Sequence, residues 1–263
     1  MTAAIHLGTG GLAGWKLLQR TATQQKEMLA ADPMVARTTR YFRETIGRTA
    51  GADDLVSDHR LMTIALGAYG LESQIASKAF IRKVLEEPRG DDRSLANRMV
   101  DKRYQNLAAA FGYDQGNQMV SSSGFGDRIS ALYVEREFER RVGEGDQNLR
   151  LALNAQRELR QMTDRTSTEA TLWYEVLGNT QLRKVFEQAF GFGQTYGRLP
   201  IDRQLAEFTA SATSLFGSSS FKVIASEAGI EKLVQRFLLR AQMAESAATS
   251  PFSTALTLLR RGG

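Results

Sequence analysis

The sequence contains no cysteine, so disulfides, thiolate metal sites and cysteine nucleophiles are excluded. It has two histidines, His6 and His59, too few for a histidine-rich metal centre; a metal would need an all-carboxylate site. Only four prolines interrupt 263 residues, which leaves most of the chain open to long helices. No apolar run approaches the roughly 18 residues of a membrane span. No Lys or Arg precedes Lys16, so the basic start of a cleavable signal peptide is missing. These absences suit a cytoplasmic protein, and equally a cysteine-free one exported without signal cleavage.

What is present is helical. Hydrophobic residues make up 42% of the chain, enough for a substantial core. The formal charge of +5 is dispersed, as in "YVEREFERRVGE" and "NAQRELRQMTDR". Such mixed-sign spacing marks solvated helical faces and disfavours a nucleic-acid patch, which clusters one sign. Apolar residues recur at helical spacing, and period-two runs of Val and Ile are almost absent. Asp32-Pro33 reads as an N-cap with Pro in the first turn, Ser57 or Asp58 as a second cap, and Asp146 as a third. The pattern predicts an all-α, multi-helical protein of about ten helices. The polar stretch "DQGNQMVSSSGFGD", residues 114–127, reads as a linker. It separates an N-terminal helical unit with a short leader (1–113) from a C-terminal unit with a short tail (128–263).

Four blocks recur in order. "FRETIG" (42–47) resembles "WYEVLG" (173–178), and "RLMTIALGAYGL" (60–71) resembles "QLRKVFEQAFGF" (181–192). "AFIRKVLEE" (79–87) lies opposite "PIDRQLAEF" (200–208), and "AAFG" (109–112) opposite "SLFG" (214–217). The first copy carries an insertion, "RTAGADDLVSDH", between its first two blocks. The first, second and fourth blocks pair a packing aromatic with a glycine suited to a left-handed helix end. Two repeated helical units would produce this order, and any helical protein also yields such echoes.

Candidate chemistry is sparse. Gly8-Thr9-Gly10-Gly11-Leu12-Ala13 matches G-x-G-x-x-A. A dinucleotide turn also needs a buried strand on each side and alternating strand and helix beyond, and none is written here. Ser57-Asp58-His59 are adjacent, whereas a triad assembles through space beside an oxyanion hole. Asp53, Asp54 and Asp58, or Asp91 and Asp92, do not follow a calcium-loop pattern. Neither a catalytic residue nor a cofactor or metal ligand is assigned. The two ends are short amphipathic stretches, residues 8–20 and 251–261, each too short for a stable isolated helix. They either dock on the body or order on a partner. In the second case Trp15, Leu17, Leu18, Leu256, Leu258 and Leu259 would be partner contacts, and replacing Trp15 and Leu18 by Ala would abolish capture while leaving helicity intact.

Five blocks, "GTGGLAGWKLLQRT", "YFRETIG", "AYGLESQIASKAFIRKVLEE", "LANRMVDKRYQNLAAAFGY" and "ALTLLRR", together carry a family likeness. They resemble a family of uncharacterised bacterial proteins, catalogued as a domain of unknown function and often encoded among flagellar genes in alphaproteobacteria. The resemblance implies a flagellum-linked role, in the cytoplasm or at the flagellum, with a flagellar component as partner and a homo-oligomer left open. It carries over no catalytic residue. The expected function is a non-enzymatic structural, assembly or accessory protein acting by protein contacts. The alternative is a nucleic-acid-binding helical regulator.

Overall fold

A computed structural model describes residues 5–163, 165, 167–193 and 196–248, and among these no strand occurs. Among the described residues fourteen α-helices follow one another: α1 (Gly11–Ala30), α2 (Pro33–Thr45), α3 (Ala52–Ser57), α4 (His59–Ala68), α5 (Lys78–Glu86), α6 (Leu95–Arg98), α7 (Lys102–Phe111), α8 (Phe125–Gly145), α9 (Gln147–Met162), α10 (Glu169–Gly178), α11 (Thr180–Phe190), α12 (Ile201–Phe216), α13 (Phe221–Ile224) and α14 (Glu227–Ala248). Four short 3₁₀ turns lie between them. The all-α expectation of about ten helices therefore fits. The extra elements are one- or two-turn helices, α3, α6 and α13, that periodicity over a long window passes over.

The helix starts lie where the acidic caps stand. Asp32 accepts from Met34 N at 3.0 Å with Pro33 in the first turn of α2. Asp58 caps α4 through Arg60 N and Leu61 N, so Ser57-Asp58-His59 is a helix junction. Asp146 caps α9 through Asn148 N and Leu149 N. Each carboxylate satisfies amide donors that the first helical turn leaves unpaired.

The chain divides into two compact units. The first takes Arg20–Arg141 with the described residues up to His6, and the second takes Leu7–Gln19 with the chain from Val142 on. The expected linker at 114–127 lies inside the first unit instead. Its polar composition is misleading because Val120 and Phe125 are buried there. Asn117 Nδ2 and Ser121 Oγ also donate to the Thr49 and Gly47 carbonyls, at 3.4 and 3.1 Å. The division falls within α8, which continues through Gly143.

The first unit packs α2 on α4, α3 on α4 and α5, and α5 on α7, around buried Phe42, Ile64, Val84, Leu107 and Phe111. The second packs α9, α11 and α14 on one another and α10 on α11 and α12. Its centre is aromatic: Trp173 lies 5.6, 6.1 and 4.8 Å from the rings of Phe186, Phe208 and Phe221.

The two units share local construction. Asn179 caps α11 through Gln181 N and Leu182 N, as Asp58 caps α4. Both helices run into left-handed glycines, Gly70 (φ 69°) and Gly191 (φ 86°). Beyond these, Leu71 N returns to Leu66 O at 2.8 Å and Phe192 N to Glu187 O at 2.9 Å. In the helix that follows, Arg82 pairs with Glu86 and Arg203 with Glu207, both one turn apart. The glycines of the first block, Gly47 and Gly178, do not take the left-handed form. Gly191→Ala should cost about 1–2 kcal/mol, since a Cβ disfavours this backbone region. Urea denaturation followed by circular dichroism would register it; a loss below a few tenths of a kcal/mol would contradict the cap assignment.

Candidate interaction groove

The second unit opens a cavity of about 360 Å³ between α10 and α12. Its floor and walls are Ala170 and Trp173 from α10, and Leu205, Ala206 and Thr209 from α12. The Thr209 hydroxyl donates back to the Leu205 and Ala206 carbonyls, both at 3.0 Å, so its polarity is spent within the helix. Glu169 and Asp202 add carboxylates to the lining. Trp173 is 1% exposed, and its Nε1 donates to Ser219 O at 3.0 Å, which ties the loop before α13 to the floor. Glu169 holds the same loop: one oxygen accepts from Ser220 Oγ at 2.7 Å, the other from Phe221 N at 2.9 Å. The result is an apolar trough on a rigid aromatic base with acidic groups at its edge, suited to an apolar side-chain row flanked by positive charge.

The residues singled out from sequence fall elsewhere. Trp15 and Leu18 are buried in the second unit, at 1% and 0% exposure, so they are core residues rather than open contacts. Trp15 Nε1 donates to Glu231 Oε2 of α14 at 3.0 Å. Leu17 is half-buried. Gly8, Gly10 and Gly11 all have positive φ and form the turn that starts α1, not a phosphate loop between strand and helix. Asp146 Oδ2 accepts from Gly11 N at 3.1 Å while Oδ1 accepts from Asn148 N and Leu149 N at 2.8 and 3.0 Å. One carboxylate therefore serves two helix N-termini, where both backbone dipoles favour it. Leu256, Leu258 and Leu259 lie outside the described residues. Among those described, no three His, Asp or Glu side chains gather as a metal ion would require. Nor is any helix long and apolar enough to cross a membrane.

Several arginines of the first unit pair with carboxylates. Arg89 pairs with Asp114 at 2.8 Å, and Arg140 and Arg141 both reach Glu137, at 2.7 and 2.8 Å. Burial alone would raise the Glu137 carboxyl; the hydrogen bonds from Arg140 and Arg141 outweigh it and hold the group below its ordinary 4.5. A carboxyl lowered in the folded state stabilises above its ordinary value, and that contribution is lost as pH falls from about 4.5 through the lower folded value. Glu137→Gln should therefore flatten the decline of stability below about pH 4.5. An unchanged slope in acid denaturation would remove Glu137 from the account.

The family described as protein of unknown function (DUF1217) matches residues 68–228. The chain belongs to this family. The DUF1217 match takes in every groove residue named above, together with α5 and α7, and leaves α2 and α3 before it and nearly all of α14 beyond it. The chain is also similar to a protein of Agrobacterium tumefaciens known from an X-ray crystal structure. The two share 27% identity with a TM-score of 0.73, over 91% of this chain and 96% of that one. No curated protein matches the chain.

Sequence reasoning did not single out the groove. The available signal was the repeat itself: the second copy lacks the inserted segment of the first, and α12 carries small Ala206 where α5 carries Leu85.

Proposed function

We propose that this chain is a non-enzymatic, flagellum-associated structural, assembly or accessory protein that works through protein contacts. The observation that carries the contact reading is the apolar groove over Trp173 with Glu169 and Asp202 in its lining. The flagellar part rests on the five-block resemblance set out above. The dispersed, mixed-sign charge of the sequence favours a protein partner over a nucleic acid, since a phosphate-binding face clusters one sign.

A clean in-frame deletion should shrink the swimming halo in soft agar, and the intact gene should restore it. Swimming at the parental rate, with normal filaments, would overturn the flagellar reading. Binding to random duplex that weakens steeply with salt would favour the regulator instead.

A further inference from the structure

The two units differ at one corresponding place. In the first, the inserted segment forms α3, which buries Ala52, Leu55 and Val56 and packs against α4 and α5. Asp53 of α3 also pairs with Arg82 of α5 at 3.0 Å. Beside it, Ile81 and Leu85 of α5 are each 1% exposed. The second unit has no such insertion: α10 ends at Gly178 and Asn179 caps α11 at once. With Arg82 aligned to Arg203, the positions of Ile81, Val84 and Leu85 become Asp202, Leu205 and Ala206. Those residues line the groove, and Asp202 and Ala206 are exposed. The α12 wall of the groove thus corresponds to the α5 positions beside the short amphipathic helix of the first unit, and here no such inserted helix stands against it among the described residues.

The sequence holds a second segment of the required kind. In α3 the buried residues follow the pattern Ala52-x-x-Leu55-Val56, and near the C-terminus stands Ala255-x-x-Leu258-Leu259. Both patterns place three apolar side chains on one face of a helical turn. Arg260 and Arg261 follow directly and complement Glu169 and Asp202. Reach decides which copy supplies the segment. Ser219 in the groove lies just before α14 begins at Glu227, whereas the segment leaves from the far end, Ala248. The 22 residues of α14 span about 33 Å at 1.5 Å each. The stretch from Ala248 to Ala255 extends to only about 24 Å.

We infer that the groove between α10 and α12 receives residues 255–261 of a second copy of this chain. The association is head-to-tail: each copy offers its tail to one neighbour and its groove to another, so repetition gives a ring or a filament rather than a closed two-fold dimer. The inference rests on the protein-contact reading above and names the occupant of its groove.

The absence of cysteine makes the test clean. Full-length Ala206→Cys and a size-tagged Leu259→Cys chain, mixed in equal amounts and mildly oxidised, should give a disulfide-linked heterodimer that reductant collapses. Chains carrying both substitutions should give a ladder. A double variant that closes only within one chain, or a mixture that gives no heterodimer, overturns the inference. In sedimentation velocity the wild-type mass should rise with concentration. Ala206→Arg, and separately Leu258→Asp with Leu259→Asp, should weaken this by about tenfold or more with circular dichroism unchanged. A chain that stays monomeric throughout also overturns it. Loss of self-association and loss of swimming are read separately, so a normal halo with intact cross-linking would reject the flagellar role and keep the head-to-tail contact.

Discussion

Trp15→Ala combined with Leu18→Ala should destabilise the second unit by about 5 kcal/mol or more and remove part of its helicity. Large-to-small changes at fully buried Trp and Leu cost roughly 3–5 and 2–5 kcal/mol each, and neighbours need not add. Both side chains sit at 0–1% exposure, and Trp15 also donates to Glu231. This is the opposite of the expectation for two open partner contacts, where helicity would survive. The two tryptophans of the sequence, Trp15 and Trp173, both lie in the second unit, so fluorescence in the wild type reports its unfolding directly. The double variant keeps Trp173 as probe. A shift in urea stability below about 1 kcal/mol would show that the leader contributes nothing to the core.

The second large effect is expected at Trp173. Trp173→Ala removes the ring that touches Phe186, Phe208 and Phe221 and should cost about 3–5 kcal/mol. Trp173→Phe keeps most of the apolar volume but leaves Ser219 O without its indole donor, a loss of about 1–3 kcal/mol if that carbonyl stays dry. The pair separates packing from hydrogen bonding. Equal losses for Phe and Ala would mean that the bond to Ser219, and not the ring cluster, holds the groove floor. Trp15 reports the transition in both variants.

Much of this was written locally, and some was not. Asp32, Asp58 and Asp146 announce helix starts because a cap acts within three residues of itself, and the structure uses each as such. Gly70, Gly112, Gly191 and Gly217 mark helix ends for the same reason, since the left-handed backbone is a property of one residue. The leader was ambiguous because the residue that receives Trp15 is Glu231, far beyond any window that periodicity samples. Residues 114–127 misled because composition averages over a stretch whose fate is set by two members, Val120 and Phe125. The groove was invisible to a search for reactive residues, because it is lined mainly by small and apolar side chains. It becomes legible only when the two copies are aligned and the insertion in the first is taken as a structural part.

The contacts of the first helix set an order of events during synthesis. Gly11 waits for the carboxylate of Asp146, 135 residues on, and Trp15 for Glu231, 216 residues on. At roughly 5–20 residues per second, a ribosome takes about ten to forty seconds between making Trp15 and making its partner. The segment is therefore completed long after it is made. For that interval Trp15 and Leu18 are an accessible apolar handle on the nascent chain, and a chaperone that binds it has a window that closes only when α14 is out.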